Sequence, residues 1–206
     1  EEERGRSSEM ARQTKHAIRQ AFLDLLNEYP LDKISVKDIA EKSAVNRNTF
    51  YYYYEDIYAL VEEIFEEETE LFLEKLHDYN SWPEAFREAT RFACTNRRAI
   101  YHLYNSANRH ILEHYYHKVS MAAMTSYVRS QAEGLPVTEE DIHVLAEFYA
   151  AALGGMTINW LRGGMRGDMD DYIDRLGYLL DGHIRHALER SCESRSSGLA
   201  ACGGHW

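Results

Sequence analysis

The chain has 206 residues, and the 45% that are apolar can bury a substantial core, so we expect a complete helical subunit rather than a fragment. No apolar run approaches the roughly 20 residues that span a bilayer, and the opening Glu-Glu-Glu-Arg-Gly-Arg lacks the apolar centre of a secretory signal. We therefore expect a cytoplasmic protein with no membrane partner.

The formal net charge of −11 argues at first sight against DNA binding, because neutralising phosphates requires clustered Lys and Arg. The charge is unevenly distributed, however. Residues 10–53 carry +2, whereas the rest of the chain carries −13. This split is compatible with a DNA-binding head on an acidic body. A net charge of +2 on the head predicts modest, salt-sensitive affinity for DNA, and dimerisation would double the number of DNA contacts.

The first predicted helix precedes Pro30, which ends it. Its apolar side chains recur at offsets of 4, 7, 8 and 11 from the first, which places them on one helical face. They are Ile18, Phe22, Leu25, Leu26 and Tyr29.

Residues 35–54 have the layout of a helix-turn-helix. The first of its two helices has a clear start, because the Ser35 side chain can accept the otherwise unpaired amide of Asp38. Ile34 and Ile39 have the spacing of a hydrophobic staple across this start. We expect this helix to be fixed to a core, with Val36, Ile39 and Ala40 facing inward.

The second helix of the pair would be anchored by Val45 and Phe50. With Phe50 and Tyr54 in the core, its outward face carries Arg47, Asn48, Thr49 and several tyrosines. The alternative interpretation is a helical hairpin that exposes these side chains but does not contact DNA. The matching turn and core spacing favour DNA contact.

The run from Ile39-Ala40 through Asn46-Arg47-Asn48-Thr49-Phe50-Tyr51 to Ala59-Leu60 resembles the DNA-binding domain of the tetracycline-repressor (TetR) family, over roughly residues 11–62. The chain differs from that family's pattern at two places. It has Ala44 where the family usually has glycine in the turn, and Ile57 near the start of the fourth helix, where a phosphate-binding lysine is usual.

The resemblance implies a role for each exposed residue of this helix-turn-helix, which we call the reader. Arg47, Asn48 and Thr49 would approach base edges, where Arg favours guanine and Asn favours adenine. Tyr51 and Tyr53 would bind phosphates, and Tyr52 could contact either bases or phosphates. Ser35 and Lys37 would present a helix amino terminus and a cation to the backbone. The candidate DNA-binding residues are Ser35, Lys37, Asn46, Arg47, Asn48, Thr49, Tyr51, Tyr52 and Tyr53.

Beyond the reader, the sequence predicts further helices. Residues 56 to about 78 read as one long connecting helix whose glutamates form a solvated face. A break at residues 80–84 precedes a helix to about Cys94, which we interpret as a buried small hydrophobe. Residues 96–131 are helical with a break near 105–108, and the loop at 134–136 leads to a helix capped by Thr138 and Asp141.

Short side chains at Ala150-Ala151-Ala152 and Gly154-Gly155 favour close approach by another helix, which we interpret as a dimer seam. Gly163-Gly164 ends that helix, Asp168 can cap the next, and an apolar face then extends to about Glu189. Two such helices per subunit could form a four-helix interface. The candidate interface residues are Ala151, Gly155, Trp160, Leu176, Leu180 and Ile184.

The run Gly154-Gly155, Trp160-Leu161 and Gly163 also resembles the carboxy-terminal part of some TetR-type regulators, including a branch tied to dihydroxyacetone kinase control. By the family resemblance, the body would hold a pocket for an unidentified small-molecule effector, although core packing explains most of the same side chains. The candidate pocket residues are Phe86, Tyr101, Tyr104, His114, Met121, Met124 and Tyr149.

Other chemistry has weak support. His110, His114 and His117 share a helical face, which would suit a divalent metal with His102 or Glu113, but solvated imidazoles are commoner, and we predict no metal. No nucleophile elbow, phosphate loop or zinc-protease helix is present, so we expect no catalytic residues, no cofactor and no enzyme activity. Three widely spaced cysteines suggest no disulfide framework, and Cys202 with His205 lacks two further ligands.

We therefore predict an all-α protein. A three-helix DNA-binding domain occupies residues 10–55, a helical effector-binding and dimerisation domain residues 56–190, and a flexible tail residues 191–206. The predicted function is that of a ligand-responsive repressor that binds a double-stranded DNA operator as a homodimer. The alternative is a protein of the same fold that acts as a co-regulator through protein contacts without binding DNA.

Overall fold

The computed structural model describes residues 2–79 and 81–196, with side chains for residues 9–79 and 81–193. Every regular element in these ranges is helical, which confirms the all-α prediction. The helices are α1 (Glu2–Glu28), α2 (Val36–Lys42), α3 (Arg47–Tyr53), α4 (Ile57–Lys75), α5 (Trp82–Thr95), α6 (Arg97–Tyr104), α7 (Arg109–Ala132), α8 (Glu139–Arg162), α9 (Met169–Leu179) and α10 (His183–Ser196). Single 3-10 turns lie at Leu31–Lys33 and Leu76–Asp78.

The helices group into two compact units. The described residues of the first unit lie within Glu1–Leu71, Arg91–Tyr115 and Ile158–Arg166, and those of the second within Phe72–Thr90, Tyr116–Thr157 and Gly167–Trp206. This grouping places α6 with α1 to α4. The reason is visible at the end of α1, where Asn27 accepts the Ala99 amide at 3.1 Å and the Leu26 carbonyl accepts from His102 Nδ1 at 2.6 Å. The functional boundaries at 55 and 190 stay predictions.

Helix α1 buries the predicted stripe, with Ile18, Phe22 and Leu26 almost fully enclosed. Tyr29 is the exception, because α1 ends at Glu28 and the Tyr29 side chain is 49% exposed. The following proline disfavours helical backbone at Tyr29, so the side chain leaves the stripe. The prediction that Tyr29 belongs to the core was wrong.

The start of α2 forms as predicted. The Ser35 hydroxyl accepts the Asp38 amide at 3.3 Å, and the Asp38 carboxylate accepts the Ser35 amide at 2.9 Å, which completes a capping box. The Ser35 hydroxyl also donates to the Asp38 carboxylate at 2.6 Å, and this bond, with that of the Ser35 amide, holds the pKa of Asp38 below its usual value. Ile34 and Ile39, the residues of the staple, are both buried, so the direction in which the chain enters α2 is fixed.

The turn between α2 and α3 uses left-handed backbone at an alanine. Ala44 has a φ of 56°, and the next residue, Val45, donates its amide to the Ala40 carbonyl at 3.0 Å. Residues other than glycine rarely adopt this backbone conformation, because their Cβ approaches the following carbonyl oxygen. The turn therefore forms at some conformational cost.

The second unit agrees with the predicted caps but not with the predicted ends. Thr138 and Asp141 form a capping box at α8, and Asp168 accepts the amides of Asp170 and Asp171 at the start of α9. The last helix is interrupted where Gly182 takes a φ of 71°, and α10 then continues to Ser196. Residues 191–196, predicted as tail, are therefore helical, while residues 197–206, with Cys202 and His205, lie outside the described residues. Cys94, predicted to be buried, is exposed.

Replacing Ala44 with glycine should stabilise the protein by about 0.5 to 1 kcal/mol, because relief of the left-handed strain outweighs the extra freedom of glycine in the unfolded chain. For a chain of this size that corresponds to a rise in melting temperature of about 1 to 4 °C in calorimetry. Ala17→Gly, in the interior of α1, is the matched control and should destabilise by about 1 kcal/mol. A loss of stability in both variants would contradict this account of the turn.

Candidate DNA-binding site

The two faces of α3 separate as predicted. Phe50 is fully buried and Tyr54, at the end of the helix, is nearly so, whereas Arg47 and Asn48 are exposed. Thr49 and Tyr53 are half-buried at the edges, and Tyr51 and Tyr52 project outward, with Tyr52 81% exposed. A guanidinium, an amide and phenol hydroxyls are thus presented together, as contact with base edges and phosphates requires.

The start of α3 is set by Asn46, whose side-chain oxygen accepts the Asn48 amide at 2.8 Å. Asn46 was predicted to contact DNA, and the structure gives its exposed side chain a capping role. Because the cap fixes the first turn, the backbone that carries Arg47 and Asn48 is held before any ligand arrives.

A shallow groove of about 290 Å³ lies between α2 and α3, and it is lined by Lys37, Glu41, Asn46 and Arg47 together with two apolar side chains. The Lys37 ammonium lies 3.6 Å from the Glu41 carboxylate, and both side chains are largely exposed. Such a pair contributes under about 1 kcal/mol, so Lys37 remains available to a phosphate. Ser35, also exposed, stands at the start of the same helix.

Helix α3 is held from behind by a polar cluster that sequence reasoning missed. The Tyr54 hydroxyl donates to Glu63 at 2.6 Å, and the same carboxylate accepts from Lys15 of α1 at 2.7 Å. One helical turn along α1, Arg19 donates to both Glu67 and Glu68. We call these six residues the α1–α4 clamp. It connects the end of α3 to two long helices.

The clamp corrects the interpretation of α4 as having one solvated acidic face. Glu62, Glu66 and Glu70 are exposed, but Glu63, Glu67 and Glu68 are half-buried against basic residues of α1. The available signal was spacing, because Lys15 and Arg19 are four residues apart, as are Glu63 and Glu67. Residues 10–53 contain seven basic residues, and five of them are in ion pairs. Lys15 and Arg19 pair with α4, whereas Arg12, Lys37 and Lys42 form more exposed pairs that remain open to exchange with a phosphate.

Burial of the Tyr54 phenol, together with its hydrogen bond to Glu63, raises the pKa of Tyr54 well above its usual value. A group whose pKa is raised on folding contributes stability below its unfolded pKa, about 10 for tyrosine, and loses that contribution as pH rises above it.

Tyr54→Phe should lower the free energy of unfolding by about 1 to 2 kcal/mol at pH 7, because Glu63 loses a hydrogen-bond donor. The deficit should shrink above about pH 10, where ionisation of Tyr54 in the unfolded state weakens the wild type alone. Urea denaturation at both pH values measures it. The exposed Tyr52→Phe is the control, with a change of under about 0.5 kcal/mol, and equal stability of the two variants at pH 7 would refute the role of the clamp.

The seven candidate pocket residues are divided between the two units and differ in exposure. Phe86 and Met124 are buried in the second unit and Tyr104 in the first, because their side chains fill the cores. His114 is exposed, and Met121 and Tyr149 are half-buried. A cavity of about 230 Å³ in the second unit is bordered by Trp82 and Tyr127 but by none of the seven candidates. Tyr101 alone lines a described cavity, in the first unit.

The candidate interface residues also differ in exposure. Ala151 and Gly155 are exposed on α8, and Leu176 and Leu180 are half-buried. Ile184 is only 4% exposed and belongs to the core of the second unit, so it offers little surface to a partner, and its place in an interface stays a prediction. Trp160 lies in the first unit, where the Arg97 guanidinium stands 5.7 Å from its ring centroid.

His110, His114 and His117 are all exposed. Among the residues that the structure describes, no three His, Cys, Asp or Glu side chains form a group that could hold a metal. Within the same ranges, no helix is both long and apolar enough to cross a membrane.

A compact helix-turn-helix with a polar, aromatic outward face defines a DNA-binding regulator, and comparisons with known proteins name its family. Residues 18–64 match the model described as bacterial regulatory proteins of the tetR family, and residues 80–182 match a transcriptional regulator C-terminal region. The chain belongs to the TetR family of helix-turn-helix, DNA-binding transcriptional regulators. That family consists of regulators rather than enzymes.

A curated relative is the uncharacterized HTH-type transcriptional regulator YxbF of Bacillus subtilis (strain 168), 38% identical over 50 residues. This match covers 24% of the chain, and the chain spans only 13% of the length of YxbF in it.

Solved structures extend the likeness to most of the chain. The dihydroxyacetone kinase operon activator DhaS superposes with a TM-score of 0.71 at 20% identity, covering 84% of this chain and 97% of DhaS. The fatty acid degradation regulator FadR from Bacillus halodurans gives 0.59 at 13% identity, covering 85% and 94%. At these identities the likeness shows the fold.

Proposed function

We propose that this chain is a homodimeric repressor that reads a double-stranded operator with α3 and responds to a small-molecule effector. The observation that carries the proposal is the outward face of α3, where Arg47, Asn48 and Tyr52 are exposed on a helix fixed by buried Phe50 and Tyr54. In this proposal Arg47 and Asn48 read bases in the major groove, and Ser35, Lys37 and the tyrosines bind phosphates.

The clamp bears on affinity. Lys15 and Arg19 are engaged with glutamates of α4, so the head offers fewer cations to phosphates than its sequence contains. Since each phosphate neutralised adds to the salt dependence, a single head binds weakly and its specificity rests on base contacts. Two heads on one operator supply the missing affinity, which makes dimerisation part of the proposal.

Arg47→Ala should weaken binding to a duplex selected from random DNA by about 1 to 3 kcal/mol per head and relax selectivity at one base pair. Lys37→Ala should weaken binding to all sequences alike and lower the salt slope by about 1 per head. Mobility-shift titrations at several salt concentrations measure both effects.

Arg162→Ala, which removes an exposed arginine at the end of α8, is the control and should bind as the wild type does. If Arg47→Ala keeps wild-type affinity and sequence preference, α3 is not the reader. If the wild type itself selects no sequence, the co-regulator alternative replaces this proposal.

The proposed dimer is supported by apolar side chains left uncovered on two helices of the second unit. Val144 and Phe148 of α8 are exposed, and along the same helix a Cβ added at Gly154 or Gly155 would meet no atom within 4 Å. On α9, Tyr178 and Leu179 are exposed. Uncovered aromatic and aliphatic surface beside small residues suits close helix packing against a second copy.

Phe148→Glu should shift the dimer towards monomer, because a carboxylate would be buried at the seam without a partner. Sedimentation velocity over a concentration series measures the dissociation constant. Met10→Glu is matched in exposure, at 67% against 66% for Phe148, but lies on α1, and it should leave the dimer unchanged. Wild-type dimerisation of Phe148→Glu would place the interface elsewhere.

The proposed switch is a shift in population. An effector that binds one conformation of the body more tightly displaces α4, which changes the separation of the two heads relative to the operator half-sites. By linkage, operator DNA must then change effector affinity by the same factor. DhaS and FadR bear names that tie them to dihydroxyacetone kinase and fatty acid degradation, and DhaS is named an activator. Transcription in vitro from the selected operator tests repression here.

A further inference from the structure

A second cavity of the first unit has no assigned role. It is a cleft of about 550 Å³ between the turn that follows α1, the first turn of α4 and the junction of α6 with α7. Its volume falls in the range of small-molecule sites, about 300 to 1,000 Å³. The side chains that matter for its chemistry are Asp32, Tyr58, Tyr101, His102 and Asn105.

One wall of the cleft is held rigidly. His102 Nδ1 lies 2.6 Å from the Leu26 carbonyl oxygen, and because a carbonyl only accepts, Nδ1 carries the hydrogen. In the neutral form of the ring, Nε2 is then an acceptor. Asn105 donates its side-chain amide to the Tyr101 carbonyl at 2.8 Å, which uses a donor of that side chain and keeps its oxygen as an acceptor.

The charge of the lining is one-sided. Asp32 is exposed and contributes a carboxylate, and none of the described residues that line the cleft is lysine or arginine. Tyr58 and Tyr101 are about half exposed, at 48% and 45%, so their rings are not consumed by core packing. The face of an aromatic ring attracts cations, and a neighbouring carboxylate adds to that attraction.

From this lining we infer that the cleft binds a small organic cation, an amine or quaternary ammonium compound, between the Asp32 carboxylate and the tyrosine rings. An anion finds no lysine or arginine among the lining residues and meets the Asp32 charge. A neutral compound of the same shape gains the apolar contacts without the electrostatic ones, and so binds more weakly.

The position of the cleft gives such a ligand a route to the reader. Asp32 is three residues before Ser35, the cap of α2, and Tyr58 is in the first turn of α4, five residues before Glu63 of the clamp. A cation bound to Asp32 and Tyr101 connects the entry of α2 to α6. This consequence for DNA rests on the proposed function, whereas binding to the cleft does not.

The test uses the full chain and three probes of similar ring size: benzyltrimethylammonium, benzyl alcohol and benzoate, at constant ionic strength. Binding is followed by the NMR shift of the His102 ring proton, assigned with His102→Gln. Benzyltrimethylammonium is expected to shift that signal saturably and to bind most tightly of the three. Asp32→Asn and Tyr101→Leu should each weaken it about threefold.

Asp78→Asn is the matched control, because Asp78 is also an exposed aspartate of a 3-10 turn and lies in the second unit. It should bind the probe as the wild type does. The inference is overturned if no probe binds, if benzoate or benzyl alcohol binds as tightly as the cation, or if Asp32→Asn matches Asp78→Asn. Operator affinity is measured in a separate experiment, without the probe. If the chain binds the cation but no operator, only the proposed function is refuted.

Discussion

A helix of seven residues such as α3 has too few internal hydrogen bonds to persist alone, so the surface that it presents depends on its anchors. Asn46 fixes the first turn through a cap, Phe50 fixes the middle through full burial, and Tyr54 fixes the end through burial and a hydrogen bond to Glu63. These three contacts hold the start, the middle and the end of the helix that carries the exposed residues. The orientation of Arg47 is therefore a property of the packed unit rather than of α3 itself.

The clamp explains how a chain with a net charge of −11 can hold a DNA-reading head together. Glutamates on α4 would repel each other and any phosphate, but three of them face Lys15 and Arg19 of α1. Pairing lowers the electrostatic cost of the acidic helix and at the same time removes cations from the DNA footprint. An ion pair that stabilises the head therefore lowers its non-specific affinity for DNA.

The features that were predicted correctly depend on residues close in sequence. The capping boxes at Ser35 and Thr138 each span four residues, and the burial of Phe50 follows from helical spacing. The clamp joins residues 48 positions apart. The four-residue spacings place its basic residues on one face of α1 and its acidic residues on one face of α4, but they do not show that the two faces meet. The cavities were harder still, because a cavity is the space that packing leaves unfilled. Phe86 and Met124 had suitable chemistry for a pocket but were needed to fill a core.

Helix α4 is the element in which these constraints meet. Its first turn brings Tyr58 to the cleft, and within two further turns Glu63 binds Tyr54 and Lys15, with Glu67 following. Any ligand that moves the first turn of α4 must either preserve the clamp, and so move α1 and α3 with it, or break a hydrogen bond that holds α3 in place. Both outcomes alter the presentation of Arg47. Each hydrogen bond of the clamp contributes on the order of 1 kcal/mol, so a ligand that displaced one of them would need at least a comparable difference in its affinity for the two conformations.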